Sequence, residues 1–149
     1  MSSSHFHVAA QRHEIELVPA MEHVAAAVHW LENLATQEDW PARTTFGLTL
    51  SVDEALTNVV SYAFSDSGDA PLLVVPSLRL ICQSTPQGIV VEIRDNGHPF
   101  DPLGIIVEPL AQSLDEATAG GHGLRLMHHY LKSITYAREG GWNTLTLVA

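Results

Sequence analysis

The chain has a single cysteine, Cys82, among its 149 residues. An intrachain disulfide is therefore impossible, and so is any zinc site built on paired cysteines. Basic residues are also scarce: 7 Lys and Arg stand against 17 Asp and Glu, a net charge of −10 with neutral histidines. That deficit excludes a protein that grips nucleic-acid backbones with a basic face, and it argues against docking on an anionic membrane. No apolar run approaches the roughly eighteen residues needed to span a bilayer. The start, MSSSHFHVAA, lacks the cationic opening and long apolar stretch of a secretory signal. A reducing, cytoplasmic location is the expectation. No GK[ST] occurs, so there is no Walker P-loop. Phosphate still remains open as a ligand, because backbone N–H groups, a helix N-terminus or Mg²⁺ hold it without a basic surface.

With 46% hydrophobic and 16% charged residues, the chain can fill a core, and its length suits one domain over 1–149. HEIELVPA alternates Ile15 and Leu17 with Glu14 and Glu16, an edge-type strand stopped at Pro19. From Ala20 to about Gln37, Val24, Ala27, Val28, Leu31 and Leu34 recur at helical spacing. Asp39-Trp40-Pro41 breaks that helix, and a second runs from about Arg43 to Phe64, with Phe46, Leu48, Val52, Leu56, Val59, Val60 and Ala63 on its core face. Ser65–Pro71 is a loop by its turn chemistry, and LLVV before Pro76 is either a strand or a lead-in. Ser77–Ser84 and Gly88–Asp95 form a hairpin, and ITYARE and WNTLTLVA form another around Gly140-Gly141. Between them, the Asn96–Gly121 segment has the character of a lid, with one helical turn at LAQSLDEA, before a helix from Gly123 to about Ser133. The order β-α-α-β-β-loop-α-β-β predicts an α+β two-layer sandwich, with helices on one face of a mixed, mostly antiparallel sheet.

Three segments carry possible chemistry. Glu54 and Asn58 are four apart on the second helix and share a face. A carboxylate beside an amide can hold hydrated Mg²⁺ and polarise a hydroxyl, whereas the same pair in isolation reads as a solvated helix face. DNGHPFDP puts Asp95 at the end of a central strand, from which its carboxylate can accept a hydrogen bond from an exocyclic amine. Taken locally, D-N-G is an ordinary turn. AGGHGLRLM places Gly120, Gly121 and Gly123 before a helix, where exposed N–H groups attract phosphate. A flexible glycine-rich helix start is the plain alternative. The nine histidines offer no i, i+4 pair with a third partner, so they read as surface or packed side chains.

In order, these segments make E-x-x-x-N on a helix, D-x-G-x-x-F-D-P after a strand, a lid-like loop and G-x-G-L opening a helix. This succession resembles the GHKL (gyrase and histidine-kinase-like) ATPases. Within them the chain looks most like the small stand-alone anti-sigma-factor serine/threonine kinases. LTLSVDEALTNVVSYAF is similar to the N box of that group, IRDNGHPFDP to its first glycine box, and GGHGLRLMHHYLKSITYAREGGWNTLTLV to its second box and closing hairpin.

The resemblance implies a Bergerat-type ATP-binding fold with a lid at about 96–121. ATP and Mg²⁺ would be the cofactors. Glu54 would be the general base and Asn58 the Mg²⁺ ligand. Asp95 would take the adenine amine, and Gly97 would admit the base with Phe100 beside it. Gly121, His122, Gly123 and Leu124 would hold phosphates. Thr144 matches an adenine-side hydroxyl, with Asn143 its rival by one residue of register. Relatives often carry His at Tyr62, Arg at His122 and Asp at Lys132. The implied activity is transfer of the γ-phosphoryl group to Ser or Thr of a small STAS-type anti-sigma antagonist, with a sigma factor and a second copy as further partners. The alternative is an ATP-loaded module that sequesters a sigma factor or another signalling protein without phosphorylating it. Neither reading involves nucleic acid or a membrane.

Overall fold

Apolar and polar residues alternate along five segments, and these pair into one sheet. The computed structural model describes residues 11–64, 74–104 and 119–149. The strands are β1 (Arg12–Leu17), β2 (Leu78–Thr85), β3 (Gly88–Asp95), β4 (Ser133–Glu139) and β5 (Trp142–Val148). Their spatial order is β1-β2-β3-β5-β4, and every neighbouring pair is antiparallel. The expected mixed sheet is thus wholly antiparallel, because hairpins join β2 to β3 and β4 to β5 and the remaining neighbours also run in opposite directions. Leu80, Cys82, Val91, Ile93, Leu145 and Leu147 point to the buried face. Arg79, Glu92, Arg94, Thr144 and Thr146 alternate onto the other.

Helices α1 (Met21–Gln37), α2 (Ala42–Asn58) and α3 (Ala119–Tyr130) supply the second layer. In α1 the buried set Val24, Ala27, Leu31, Leu34 and Ala35 follows the three-four spacing of one helical stripe. Helix α2 packs against both α1 and α3. Leu48, Val52 and Leu56 on α2 are fully buried, each contributing about 1.5–3 kcal/mol of hydrophobic stabilisation. Its Gly47 allows α3 to approach closely, since a Cβ there would lie 2.7 Å from Cβ of Tyr130. Cys82 is buried, and desolvation, helped by Glu38, pushes its thiol up to about 12.

Three local expectations change, and one open alternative is decided over its described residues. The second helix does not continue regularly to Phe64. It ends as an α-helix at Asn58, and Val59–Ala63 forms a π-helical turn. Helix α3 begins at Ala119 rather than Gly123 and ends at Tyr130, so the glycines lie inside its first two turns. Phe46 is 53% exposed instead of buried, because it lies against the edge of Tyr130 and not over the sheet. Val74 and Val75 are a lead-in, not a strand: the Asn96 amide donates to the Val75 carbonyl (2.8 Å) and accepts from the Ser77 N–H (2.7 Å). The N-terminal residues to His7, the Ser65–Pro71 loop, the LAQSLDEA turn and most of the lid lie outside the described residues.

Candidate active site

Two groups of hydrogen-bonded side chains stand on elements that touch where β3 finishes. The first stands on α2. Asn58 donates from Nδ2 to Oε2 of Glu54 at 3.0 Å, so the i, i+4 pair is a made contact and not merely a shared face. Burial raises the Glu54 carboxyl above its ordinary value of 4.5. The Asn58 hydrogen bond opposes this shift, and the neighbouring Asp53 charge reinforces it. A base with a raised pKa is better matched to accepting a proton from a hydroxyl near neutral pH. The bond to Glu54 orients the Asn58 amide and leaves its carbonyl oxygen as a hard oxygen donor of the kind Mg²⁺ prefers.

The second group surrounds Asp95, which is 2% exposed. Its Oδ1 accepts from the Gly97 N–H at 3.0 Å and from Nδ2 of Asn143 at 2.8 Å. Both described bonds fall on Oδ1, so Oδ2 is the acceptor left for a ligand amine. Desolvation raises the Asp95 pKa. The hydrogen bonds from Asn143 and Gly97 and the Arg138 charge pull it back.

The register of the last hairpin decides between Asn143 and Thr144. Asp95 pairs with Asn143, and Arg94 pairs with Thr144. Thr144 therefore faces the opposite side of the sheet, in a shallow pocket with Arg79, Arg94 and Trp142. The rival residue is the one that meets Asp95.

Asn143 uses its whole hydrogen-bonding capacity. Nδ2 donates to Asp95 and to the His98 carbonyl, while Oδ1 accepts from the Phe100 N–H and the Tyr136 hydroxyl. Arg138 completes the frame by donating to the Gly97 carbonyl at 2.8 Å. Tyr136 and Arg138 were not singled out from the sequence. Counting back across the Gly140-Gly141 turn would have found them, because Arg138 pairs with Asn143 and Tyr136 lies two residues away on the same face.

The π turn joins the two groups. The Ala63 carbonyl accepts from the His98 N–H at 2.8 Å. A Cβ at Gly97 would lie 2.5 Å from that carbonyl oxygen, so only glycine permits this approach. On the preceding residue of the turn, Tyr62 stacks on Phe100 with centroids 5.2 Å apart. Helix α2 is thereby tied to the segment that leaves β3 by a hydrogen bond, a close backbone contact and a ring stack. Such π turns are frequent at functional sites.

The backbone of the second glycine segment forms the first turns of α3. Gly120, Gly121, His122, Gly123 and Leu124 all lie in the part of α3 that directly follows residues outside the described ones. Lys132, one of the departures from the resembling group, donates to the Gln87 carbonyl near the start of β3. It stands at the opposite end of the sheet from Asp95.

Residues 17–149 match the family model described as a histidine kinase-like ATPase domain. The chain belongs to this family. Membership implies ATP use. The serine/threonine-protein kinase BtrW of Bordetella bronchiseptica is 44% identical over 123 residues, covering 83% of this chain and 82% of BtrW. A solved structure of RsbU and RsbW domains from Mycobacterium tuberculosis superposes with a TM-score of 0.62 at 11% identity. That match covers 92% of this chain and 31% of the longer chain, and it shows the shared fold. Among the described residues, no helix of this ATPase domain is long and apolar enough to cross a membrane.

Proposed function

We propose that this protein is an ATP- and Mg²⁺-dependent serine/threonine protein kinase of the anti-sigma type, acting on a small STAS-type antagonist protein. The observation that carries the reading is the tie between Gly97 and Ala63. It joins the turn that follows Asp95 to the π turn that continues the helix bearing Glu54 and Asn58, which supports the reading. The 44% identity to a serine/threonine-protein kinase supports transfer to a hydroxyl over plain hydrolysis.

In this reading Oδ2 of Asp95 accepts the adenine amine, and Asn143 fixes the carboxylate in the orientation to do so. Gly97 lets the base approach the backbone, with Phe100 flanking it. The glycine-rich start of α3, with the N–H groups of Gly121, His122, Gly123 and Leu124, receives the phosphates. Asn58 is the residue that would hold Mg²⁺, which supplies charge neutralisation at the phosphates when bound. Glu54 accepts the proton of the attacking Ser or Thr hydroxyl. The segment at about 96–121 closes over the nucleotide and excludes water. A sigma factor competes with the antagonist for the same protein, and the chain works as a homodimer in the cytoplasm.

The test is transfer of label from [γ-³²P]ATP to purified STAS-type proteins encoded in the same genome. Label on a Ser or Thr of one of them is the expected result. ATP binding without transfer to any of them would instead make the protein a sequestering module.

A further inference from the structure

Between the first half of α1 and the last turns of α2 runs a groove of about 360 Å³, lined by Met21, Val24, Ala25, Val28, Asp53 and Thr57. Four of these six side chains are apolar. The apolar surface continues onto Val18, and Val18 and Met21 are 62% and 53% exposed. Solvent-facing apolar side chains grouped in a concavity mark a place where another surface sits.

The position of the groove restricts what that surface can be. Asp53 and Thr57 each precede, by one residue, Glu54 and Asn58 on the same helix. One residue is a rotation of about 100° around a helix axis, so the groove and the Glu54–Asn58 stripe are adjacent faces of α2. A hydroxyl that loses its proton to Glu54 must come within roughly 3 Å of that carboxylate. The protein bearing this hydroxyl cannot avoid the rim of the groove.

Charge narrows the occupant further. Asp53 is exposed, and so is Glu22 in the first turn of α1. Neither has an ion-pair partner among the described residues. No basic side chain lines the groove. A second copy of this chain is a poor occupant, because a two-fold contact would set these carboxylates against their own equivalents.

We propose that the α1–α2 groove is the docking site for the phosphate-accepting protein, and that it takes a row of apolar side chains followed by a Lys or Arg that pairs with Asp53. This deepens the kinase reading of the site and rests on it.

The probes are the purified STAS-type proteins of the transfer assay. Met21→Glu and Asp53→Lys change exposed positions, so folding is not at issue. Each is expected to raise KM for the accepting protein by roughly tenfold, with ATP affinity within about twofold of the parent. A Lys→Glu or Arg→Glu change in the acceptor restores the Asp53→Lys variant. An unchanged KM in both variants overturns the proposal. If no protein accepts phosphate, the kinase reading fails, and Ala25→p-benzoylphenylalanine still decides the docking. A photo-adduct with a STAS-type protein upholds the groove as its seat. An adduct with a second copy of the chain, or none, overturns it.

Discussion

Nδ2 of Asn143 lies 2.8 Å from Oδ1 of Asp95 and 2.8 Å from the His98 carbonyl, so one amide ties the end of β3 to the chain leaving it. A buried carboxylate is costly unless hydrogen-bonded. Asn143 and the Gly97 N–H supply those bonds on one oxygen and leave the other for a ligand. The site therefore holds an ionisable group in an environment that raises its pKa, and the consequences can be measured.

For Asp95→Asn, ATP affinity is expected to fall roughly 10- to 100-fold, the loss of one charge-assisted bond of about 1.5–3 kcal/mol. Stability should move the other way. The folded pKa of Asp95 lies above its ordinary value of 3.8, so the folded state binds the proton more tightly than the unfolded one. Stability of the ligand-free parent then falls as pH rises from 3.8 through the folded pKa. The variant lacks that fall. Calorimetry of ATP binding together with thermal melts from pH 4 to 7 would check both halves; an undiminished ATP affinity would end the adenine assignment.

Asn143→Ala removes four hydrogen bonds at once, leaving Asp95 with only the Gly97 N–H and depriving the Tyr136 hydroxyl, the Phe100 N–H and the His98 carbonyl of this partner. A buried group left unpaired costs about 1–3 kcal/mol, which lowers Tm by several degrees in a domain of this size. ATP affinity falls in parallel because the carboxylate loses its fixed orientation. Thr144→Ala, on the other face of the sheet, should leave ATP affinity unchanged. Equal losses in the two variants would mean that the last hairpin has a different register.

Gly97→Ala forces a Cβ to within 2.5 Å of the Ala63 carbonyl oxygen. Since that neighbour is backbone, the turn must shift, at about 1–3 kcal/mol. Both ATP binding and the melting temperature should drop. Parent-like values for both would show that the contact between the π turn and the Asp95 turn is dispensable.

The pH profile isolates Glu54. Its carboxyl is raised above the ordinary 4.5, chiefly by burial, and only the ionised form can take a proton. The rate of phosphoryl transfer should fall on acidification with a midpoint above 4.5. Glu54→Gln should abolish that acid limb and reduce kcat by about 10²–10⁴ while sparing ATP binding. Persistence of the limb in the variant would assign it to another group.

Tyr62 tests the bridge to the segment that leaves β3. Tyr62→Phe preserves the stack on Phe100 and should behave as the parent. Tyr62→Ala removes a ring pair of about 0.5–1.5 kcal/mol, and ATP should dissociate faster from it. Stopped-flow release of a fluorescent ATP analogue would separate the two, and identical rates would rule out a role for the stack.

Much of this arrangement was legible in the order of residues. Period-two runs gave all five strands, and three-four spacing gave α1 and the regular part of α2. Asp95 and the Glu54–Asn58 pair stand where their spacing put them. The π turn was not legible, because Val59, Val60 and Ala63 continue the apolar stripe of α2 closely enough to read as more α-helix. The glycines Gly120, Gly121 and Gly123 have low helix propensity, so the pattern places the start of α3 after them, whereas the helix includes them. The resemblance points to Thr144 with Asn143 as its rival; which of them stands opposite Asp95 depends on a register that one residue of slip would reverse, and it is Asn143. Phe46 shows the limit of periodicity in another way: it lies on the correct stripe, but near the start of α2, where Tyr130 and not the sheet is its neighbour.

The lone thiol of Cys82 has a use that follows from its surroundings. It sits on β2 between His13 of β1 and Val91 of β3, sealed from solvent, with its ionisation suppressed to about 12. In the closed protein it is chemically silent. An alkylating reagent can reach it only when the sheet and helices part, so each molecule carries one native clock for the opening of its core. Because there is no second cysteine, that clock needs no engineering to read, and a nucleotide that grips Asp95 at the end of the neighbouring strand would slow it.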